Sequence, residues 1–384
     1  MLKTIGDVCQ LLNGYSFKSE KYVDSGIRII RIANVQKGFI EDNTPAFYPL
    51  ETPGIENYML KEGDLLISLT GNVGRVALLN KEMLPAALNQ RVACLRIKDD
   101  SIYKKFLFHY LNSSKFENTC ILESRGVAQK NMSTEWLKRQ PIPNYTLQNQ
   151  IKISKILDSI IEIINKKRQK LVEFDSLIKS RFVEMFGDVT QKNNGYTIND
   201  VCRTMIRGPF GSSLKKEFFV PKGVSTYKVY EQKHAINKKV EIGEYYIDEK
   251  KFNELKRFEV QPGDVIMSCS GTIGELFVIP DSAERGIINQ ALLNFRLNYE
   301  VINKDYFLYA MDAIIYTIDS KGSGIENITS VSNIKNTNIY LPPLLEQNNF
   351  SIFVKQVDKL KFAVQKSLDE TQTLFDSLMQ KYFG

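Results

Sequence analysis

The chain states its plan twice. EGDLLISLTGNVGRVALL, residues 62–79, returns as PGDVIMSCSGTIGELFVI, residues 262–279. Gly63, Asp64, Ser68, Gly71 and Gly74 match Gly263, Asp264, Ser268, Gly271 and Gly274. KTIGDVC (3–9) returns as YTINDVC (196–202), LNQRVACLRI (88–97) as INQALLNFRL (288–297), LESRG (122–126) as IDSKG (318–322), and FDSL (174–177) as FDSL (375–378). The matches keep their order along 384 residues, so one stretch of biased composition does not explain them. A repeat on this scale dictates the architecture before any local reading begins.

Each half opens with a mixed segment. RIIRIANV and DLLISL read as short strands, rich in branched residues and closed by Gly, Asn and Pro, and SIYKKFLFHYLNSS reads as a helix. A proline connector follows, PIPNYTLQ in one half and LPPLLEQ in the other, where proline biases the preceding residue to extended backbone. A long helix comes next. In the first, Leu157, Ile164, Leu171, Ile178 and Met185 fall seven apart, with Ile153, Ile160 and Phe174 as a companion stripe interrupted by Lys167. In the second, Phe350, Val357, Val364 and Leu378 repeat with Thr371 in sequence, and Phe353, Leu360 and Leu374 accompany them. Such spacing makes a narrow apolar seam that must find a partner.

The expected fold is α+β: two similar mixed α/β domains separated by two long antiparallel helices that form a coiled-coil spacer. The boundaries expected are 1–147, 148–188, 189–345 and 346–384. A helix of about 35 residues within such a segment spans roughly 50 Å at 1.5 Å per residue. From Gln150 to the first FDSL is 24 residues and from Gln347 to the second is 28, a difference of about one turn.

Composition removes several classes of function. The formal net charge of +7 is mild but permits a basic face for phosphates. The five cysteines are scattered without a C-x-x-C pair, and the two histidines, His109 and His234, are far apart, so no metal site is expected. No run has the length of a membrane span and the N-terminus lacks a signal-peptide pattern; a cytoplasmic location is expected. There is no phosphate-binding G-x-x-x-x-G-K-[ST] loop, no G-x-S-x-G elbow and no Asn/Asp-Pro-Pro-aromatic loop. Pro280-Asp281 and the distant Asp319-Ser320-Lys321 do not make a nuclease cluster. The chain is expected to be non-catalytic.

Two divergent modules, each followed by a proline connector and a long helix, resemble the specificity (S) subunit of bacterial type I restriction-modification systems. The resemblance spans the chain and rests on the GD-x(3)-S-x-[ST]-G-x-x-G stretch, the Asn-Gln of LNQ and INQ, the LPPLLEQ connector and the helices with their FDSL ends. The first connector departs from it, with PNYTLQNQ in place of the Pro-Pro-Leu run. The resemblance implies two target recognition domains, each reading one half of a split double-stranded DNA site. It implies helices that set the unread gap and dock methyltransferase (M) subunits, two being expected. Those subunits would bind S-adenosylmethionine and methylate adenine; this chain would hold no cofactor. Restriction (R) subunits would add cleavage. A protein-interaction scaffold and a solitary DNA-binding relative remain the alternatives.

Under this reading, positions basic in both halves are candidate phosphate contacts: Arg31 paired with Lys228, and Arg125 with Lys321, supplemented by Lys18, Lys37, Lys130, Lys215 and Lys216. Base readers should differ between halves. Thr70, Asn72 and Arg75 in one turn face Ser270, Thr272 and Glu275 in the other. Asn89, Gln90 and Arg91, with Asn289 and Gln290, complete the DNA-binding set, and the identical Asn-Gln pairs point to a shared task. Tyr15, Phe17 and Phe210 lie in glycine-bearing loops, with Phe17 expected in the core. Ile153, Leu157, Ile160, Ile164, Leu171, Ile178, Phe350, Val357, Val364 and Leu378 are the expected helix-packing residues.

Overall fold

The computed structural model describes residues 3–124, 131–319 and 331–384. They form two compact units, residues 1–169 with 365–384, and residues 170–364.

In the first unit, KTIGDVC owes its pattern to a cap. Thr4 and Asp7 bond each other's backbone amides around the short helix α1 (Ile5–Val8). The chain then runs through β1 (Cys9–Asn13), β2 (Ile27–Ile30), β3 (Phe47–Tyr48), β4 (Leu65–Ser68), β5 (Val76–Leu78), β6 (Ala86–Leu88) and β7 (Val92–Ile97). Helices α2 (Lys104–Leu111), α3 (Ser114–Glu123) and α4 (Thr134–Lys138) follow. A four-stranded antiparallel sheet has the order β1-β7-β4-β5. A smaller sheet, β3-β2-β6, pairs β2 and β6 in parallel. DLLISL is apolar without alternation because both its faces are buried. Leu65 and Ile67 pack with Phe106 and Phe116 toward the helices, while Leu66 packs with Ile30 and Leu88.

Helix α5 (Leu147–Phe186) runs unbroken for 40 residues. Its first part belongs to the first unit and the rest to the second. In the second unit, Thr197 and Asp200 repeat the Thr-x-x-Asp bonds. The strands are β8 (Cys202–Arg207), β9 (Thr226–Tyr230), β10 (Tyr246–Asp248), β11 (Glu259–Val260), β12 (Val265–Ser268), β13 (Leu276–Val278), β14 (Gly286–Ile288) and β15 (Leu292–Leu297). Helices α6 (Gln232–Asn237), α7 (Glu249–Glu254), α8 (Lys304–Asp319) and α9 (Val331–Lys335) accompany them, and α10 (Leu344–Phe383) is the second 40-residue helix. The sheet orders are β8-β15-β12-β13 and β10-β9-β14-β11, with β9 and β14 parallel.

The repeat survives at the level of strand register. Leu65 faces Leu95 and Val265 faces Phe295; Leu66 faces Cys94 and Ile266 faces Asn294. The offset is 194 at Gly14 and Gly208, and 200 by Arg28 and Lys228, so the second module carries six extra residues in the loop that holds Phe210. A second difference lies after β7 and β15. SIYKKFLFHYLNSS is not one helix, because the Ser113 hydroxyl accepts from the Phe116 amide and starts α3 afresh. Ala313 stands at the equivalent place, and α8 continues.

Each long helix is bolted to its own module by the matching glutamine. Gln150 is buried and accepts from the Tyr103 amide while donating to the carbonyls of Ser101 and Tyr145. Gln347 does the same with the Asn303 amide and the carbonyls of Val301 and Pro342.

Within each unit the segments of α5 and α10 run antiparallel. In the first, Ile153 and Leu157 share a core with Phe383, and Lys167 meets Ser367 and Thr371. In the second, Asp175 pairs with Lys361, and Phe182 and Phe186 stack on Phe350. Ile153, Leu157, Ile160, Ile164, Ile178, Phe350 and Val357 are buried; Leu171, Val364 and Leu378 are half-buried. The companion stripe of the second helix is corrected. Leu360 and Leu374 are half-exposed, and Val354 and Leu368 are buried in their stead, one residue on from Phe353 and eight on from Leu360. Lys167 is the polar break the sequence showed. Its ammonium donates to the Ser367 carbonyl, the Ser367 hydroxyl and Thr371 Oγ1 at 2.9, 2.8 and 2.6 Å. The spacing difference before FDSL does not lengthen the second helix. Both helices have 40 residues, and the four residues gained before the second FDSL are given up between it and the terminal Phe-Gly.

Candidate nucleic-acid interface

At one end of the β1-β7-β4-β5 sheet, and of its counterpart β8-β15-β12-β13, three loops meet. The turn after β4 is closed by Ser68, whose hydroxyl donates to the Asn72 carbonyl and accepts from the Arg75 amide. Ser268 makes the same bonds with the Thr272 carbonyl and the Glu275 amide. Gly71 (φ +68°) and Gly271 (φ +64°) supply the left-handed backbone at the tip. The Leu69 amide donates to the Arg91 carbonyl, and Cys269 to Ala291, which ties the turn to the loop before β7 or β15. The third loop follows β1 or β8. There Gly14 and Gly208 lie so close to Asn89 and Asn289 that a Cβ would sit 2.1 or 2.0 Å from the carbonyl oxygen.

Behind this rim, the Asp of the doubled Gly-Asp braces the frame. Asp64 accepts Nε and Nη2 of Arg96 and the Lys61 amide. Asp264 accepts the same two donors from Arg296, the Gln261 amide and Asn294. These carboxylates are buried and fully used, so the glycine stretch is scaffold and not a phosphate cradle.

The structure sorts the sequence candidates. Asn72, Gln90 and Arg91 in the first module, and Thr272 and Gln290 in the second, are exposed on the rim. Thr70 and Ser270 are half-buried beneath it: Thr70 bridges to Asn131, and Ser270 bonds Gln232. Arg75 is engaged by Gln36, and Glu275 by Lys238 at 2.7 Å, so both tie their turn to the loop after β2 or β9. Asn89 and Asn289 are turn residues; their side-chain oxygens accept the amides of Arg91 and Ala291.

Arg31 and Lys228 are not equivalents. Strand register pairs Arg28 with Lys228, and Arg31 with Glu231. Lys228 is 1% exposed, with its ammonium on the Val240 carbonyl and Glu284, and so does not reach a surface ligand. The half-buried Arg31 bonds Thr44. Lys18, Lys215 and Lys216 are exposed, Lys215 lying 3.7 Å from Glu217; Lys37 pairs with Glu117. Arg125, Lys130 and Lys321 lie outside the described residues. Phe17 is core, packed on Tyr48, whereas Tyr15 and Phe210 are exposed, with Arg207 over the Phe210 ring at 5.3 Å.

Two rim residues escaped the sequence reading, Arg207 and Gln232. Arg207 donates to the Gln290 carbonyl and supports Phe210, a role hinted at only by its place before a glycine. Gln232 has no like-for-like partner in the first half, where Ile32 stands.

The remaining reactive side chains are quiet. Burial pushes the thiols of Cys9, Cys120 and Cys202 up to about 12 and that of Cys269 to about 11. Among the described residues no group of His, Cys, Asp and Glu could hold a metal ion, and no helix is long and apolar enough to cross a membrane.

A doubled frame with a different set of polar tips on each copy defines a two-module recognition protein. The chain belongs to the type I restriction-modification DNA specificity family, whose domain model matches residues 1–173 and 188–371, and it serves as a specificity subunit that recognises a DNA target. It is 21% identical to the EcoBI type I restriction enzyme specificity subunit of Escherichia coli, over 99% of this chain and 84% of that one. It is 32% identical to the EcoAI specificity subunit of the same organism, over 42% of this chain and 28% of that one. Among solved structures, the S subunit from M. genitalium superposes with a TM-score of 0.54 at 14% identity, covering 100% of this chain and 96% of that one. A chain from a study of type I system assembly and conformational transition gives 0.62 at 16%, covering 100% and 97%. At these identities the structural likeness speaks for the fold.

Proposed function

We propose that each module reads one half of a bipartite double-stranded DNA site through its rim of turns. The two long helices set the unread gap and dock two methyltransferase subunits, which bind S-adenosylmethionine and methylate adenine. This chain performs no chemistry and holds no cofactor; it works in the cytoplasm, and restriction subunits join the complex where cleavage occurs.

One observation carries this reading. Two modules share strand register and turn bonding, yet present Asn72 and Arg91 on one rim and Thr272, Phe210 and Gln232 on the other. A scaffold for one ligand class would not need its tips to differ while the frame stays constant. The uncharged rim side chains suit base edges, and Arg91 and the exposed lysines suit phosphates. The test is purification with the neighbouring methyltransferase, followed by methylation of DNA in vitro. The complex should methylate a split site and the isolated chain nothing. Methylation by the isolated chain, or a complex indifferent to sequence, contradicts the proposal.

A further inference from the structure

The loops that follow β2 and β9 place one residue against the underside of the glycine turn in each module. In the first it is Ile32, whose Cδ1 is 3.5 Å from where a Cβ on Gly71 would stand. In the second it is Gln232, whose Nε2 is 3.5 Å from the same point at Gly271. The positions are equivalent by hydrogen bonding. The Asn89 amide donates to the Ile30 carbonyl and the Asn289 amide to the Tyr230 carbonyl, two residues before each. The frame is the same and the chemistry is opposite: an aliphatic group in one rim, a primary amide in the other.

Gln232 is held for use. It is the first residue of α6, and its Oε1 accepts from the Ser270 hydroxyl at 3.0 Å. That bond fixes the amide plane and leaves Nε2 beside the Gly271 tip, where the absence of a side chain keeps the approach open. Gln232 is half-buried, so its carbon stem is supported while its head reaches the rim. Ile32 packs one side on the core around Ile30 and Leu88 and shows the other at the tip. A glutamine amide matches the N7 acceptor and N6 donor of adenine, whereas an aliphatic group matches the thymine methyl.

We propose that position 32/232 is a base-reading position, with Gln232 recognising an adenine in the half-site of the second module and Ile32 making an apolar contact in that of the first. The proposal rests on the DNA-reading function above and adds the residue and the base.

The experiment maps methylated sites for the complex carrying wild-type chain, Gln232→Glu and Gln232→Ile. Gln232→Glu preserves size and shape, and its carboxylate accepts from cytosine N4 but cannot donate to adenine N7. Gln232→Glu should lower methylation of the wild-type site at least tenfold and change one position of one half-site, leaving the other half-site and the gap as they were. Gln232→Ile should relax the same position. A motif unchanged in both variants overturns the assignment, as does a loss of methylation spread evenly over all positions, the mark of a structural role. If the wild-type complex shows no bipartite motif at all, the broader DNA-reading function fails rather than the placement of Gln232.

Discussion

At the scale of residues, the site divides into side chains that hold the frame and side chains the frame displays. Asp264 holds: it takes four hydrogen bonds at 3% exposure, two from Arg296 and one each from Asn294 and the Gln261 amide. Removing the carboxylate takes two of the Arg296 guanidinium's bonds and leaves it the Glu259 carbonyl, and it leaves the Asn294 amide and the Gln261 N–H without this acceptor. Asp264→Ala should therefore cost about 3 kcal/mol of stability, read in urea unfolding, with no change in the bases recognised. Arg91 is displayed. Arg91→Ala should weaken DNA binding by the complex across all sequences and lower the slope of log affinity against log salt by about 1. A change in base preference with an unaltered slope would show that Arg91 reads bases instead. The histidines add a pH dependence. Burial holds His109 below the usual range against the opposing hydrogen bond that its ring makes to the Asp158 carboxylate, and burial does the same to His234. His234 accepts the Glu231 amide at Nδ1 and donates from Nε2 to the Ile242 carbonyl, which needs the neutral ring. Above the unfolded pKa both states are neutral and stability is complete. As pH falls through ~6.5 the unfolded chain takes up protons first, and stability is lost until the depressed native pKa is passed. The melting temperature should fall from about pH 7.5 to about pH 5.5, and less steeply in His109→Gln/His234→Gln.

At the scale of elements, Gln150 and Gln347 do most to join the modules to their helices. Gln150→Ala leaves one amide and two carbonyls without partners and should destabilise by about 1–3 kcal/mol; Gln347→Ala should do the same in its own unit. Hydrogen exchange would localise each effect to the loop around Ser101–Tyr103 or Val301–Asn303. Much at this scale was legible in the sequence. The strands of DLLISL, the starts of both helices and the first seam follow from local pattern. The second companion stripe did not, because Leu360 and Leu374 are apolar yet half-exposed, and pattern alone does not tell a seam leucine from a surface one. RIIRIANV has the pattern of one strand, but β2 stops at Ile30, since the Asn34 side chain accepts the Arg31 amide and turns the chain.

At the scale of the molecule, the repeat gave the two-module plan, and the strand register carries it to the level of single residue pairs. The site was less legible. The aligned charges Arg31 and Lys228 proved to be non-equivalent, since six extra residues lie between β8 and β9 and the two basic side chains fall three positions apart in the frame. Gln232 was invisible because its meaning comes from a neighbour 38 residues away, Ser270. The central claim is that two modules read two half-sites independently. Genome-wide mapping of methylated adenines, in cells with this chain and its partner methyltransferase, tests it most directly. The account predicts one motif of two specified blocks around unspecified bases, with Asn72→Ala relaxing one block and Thr272→Ala only the other. A contiguous motif, or one substitution degrading both blocks, would contradict it.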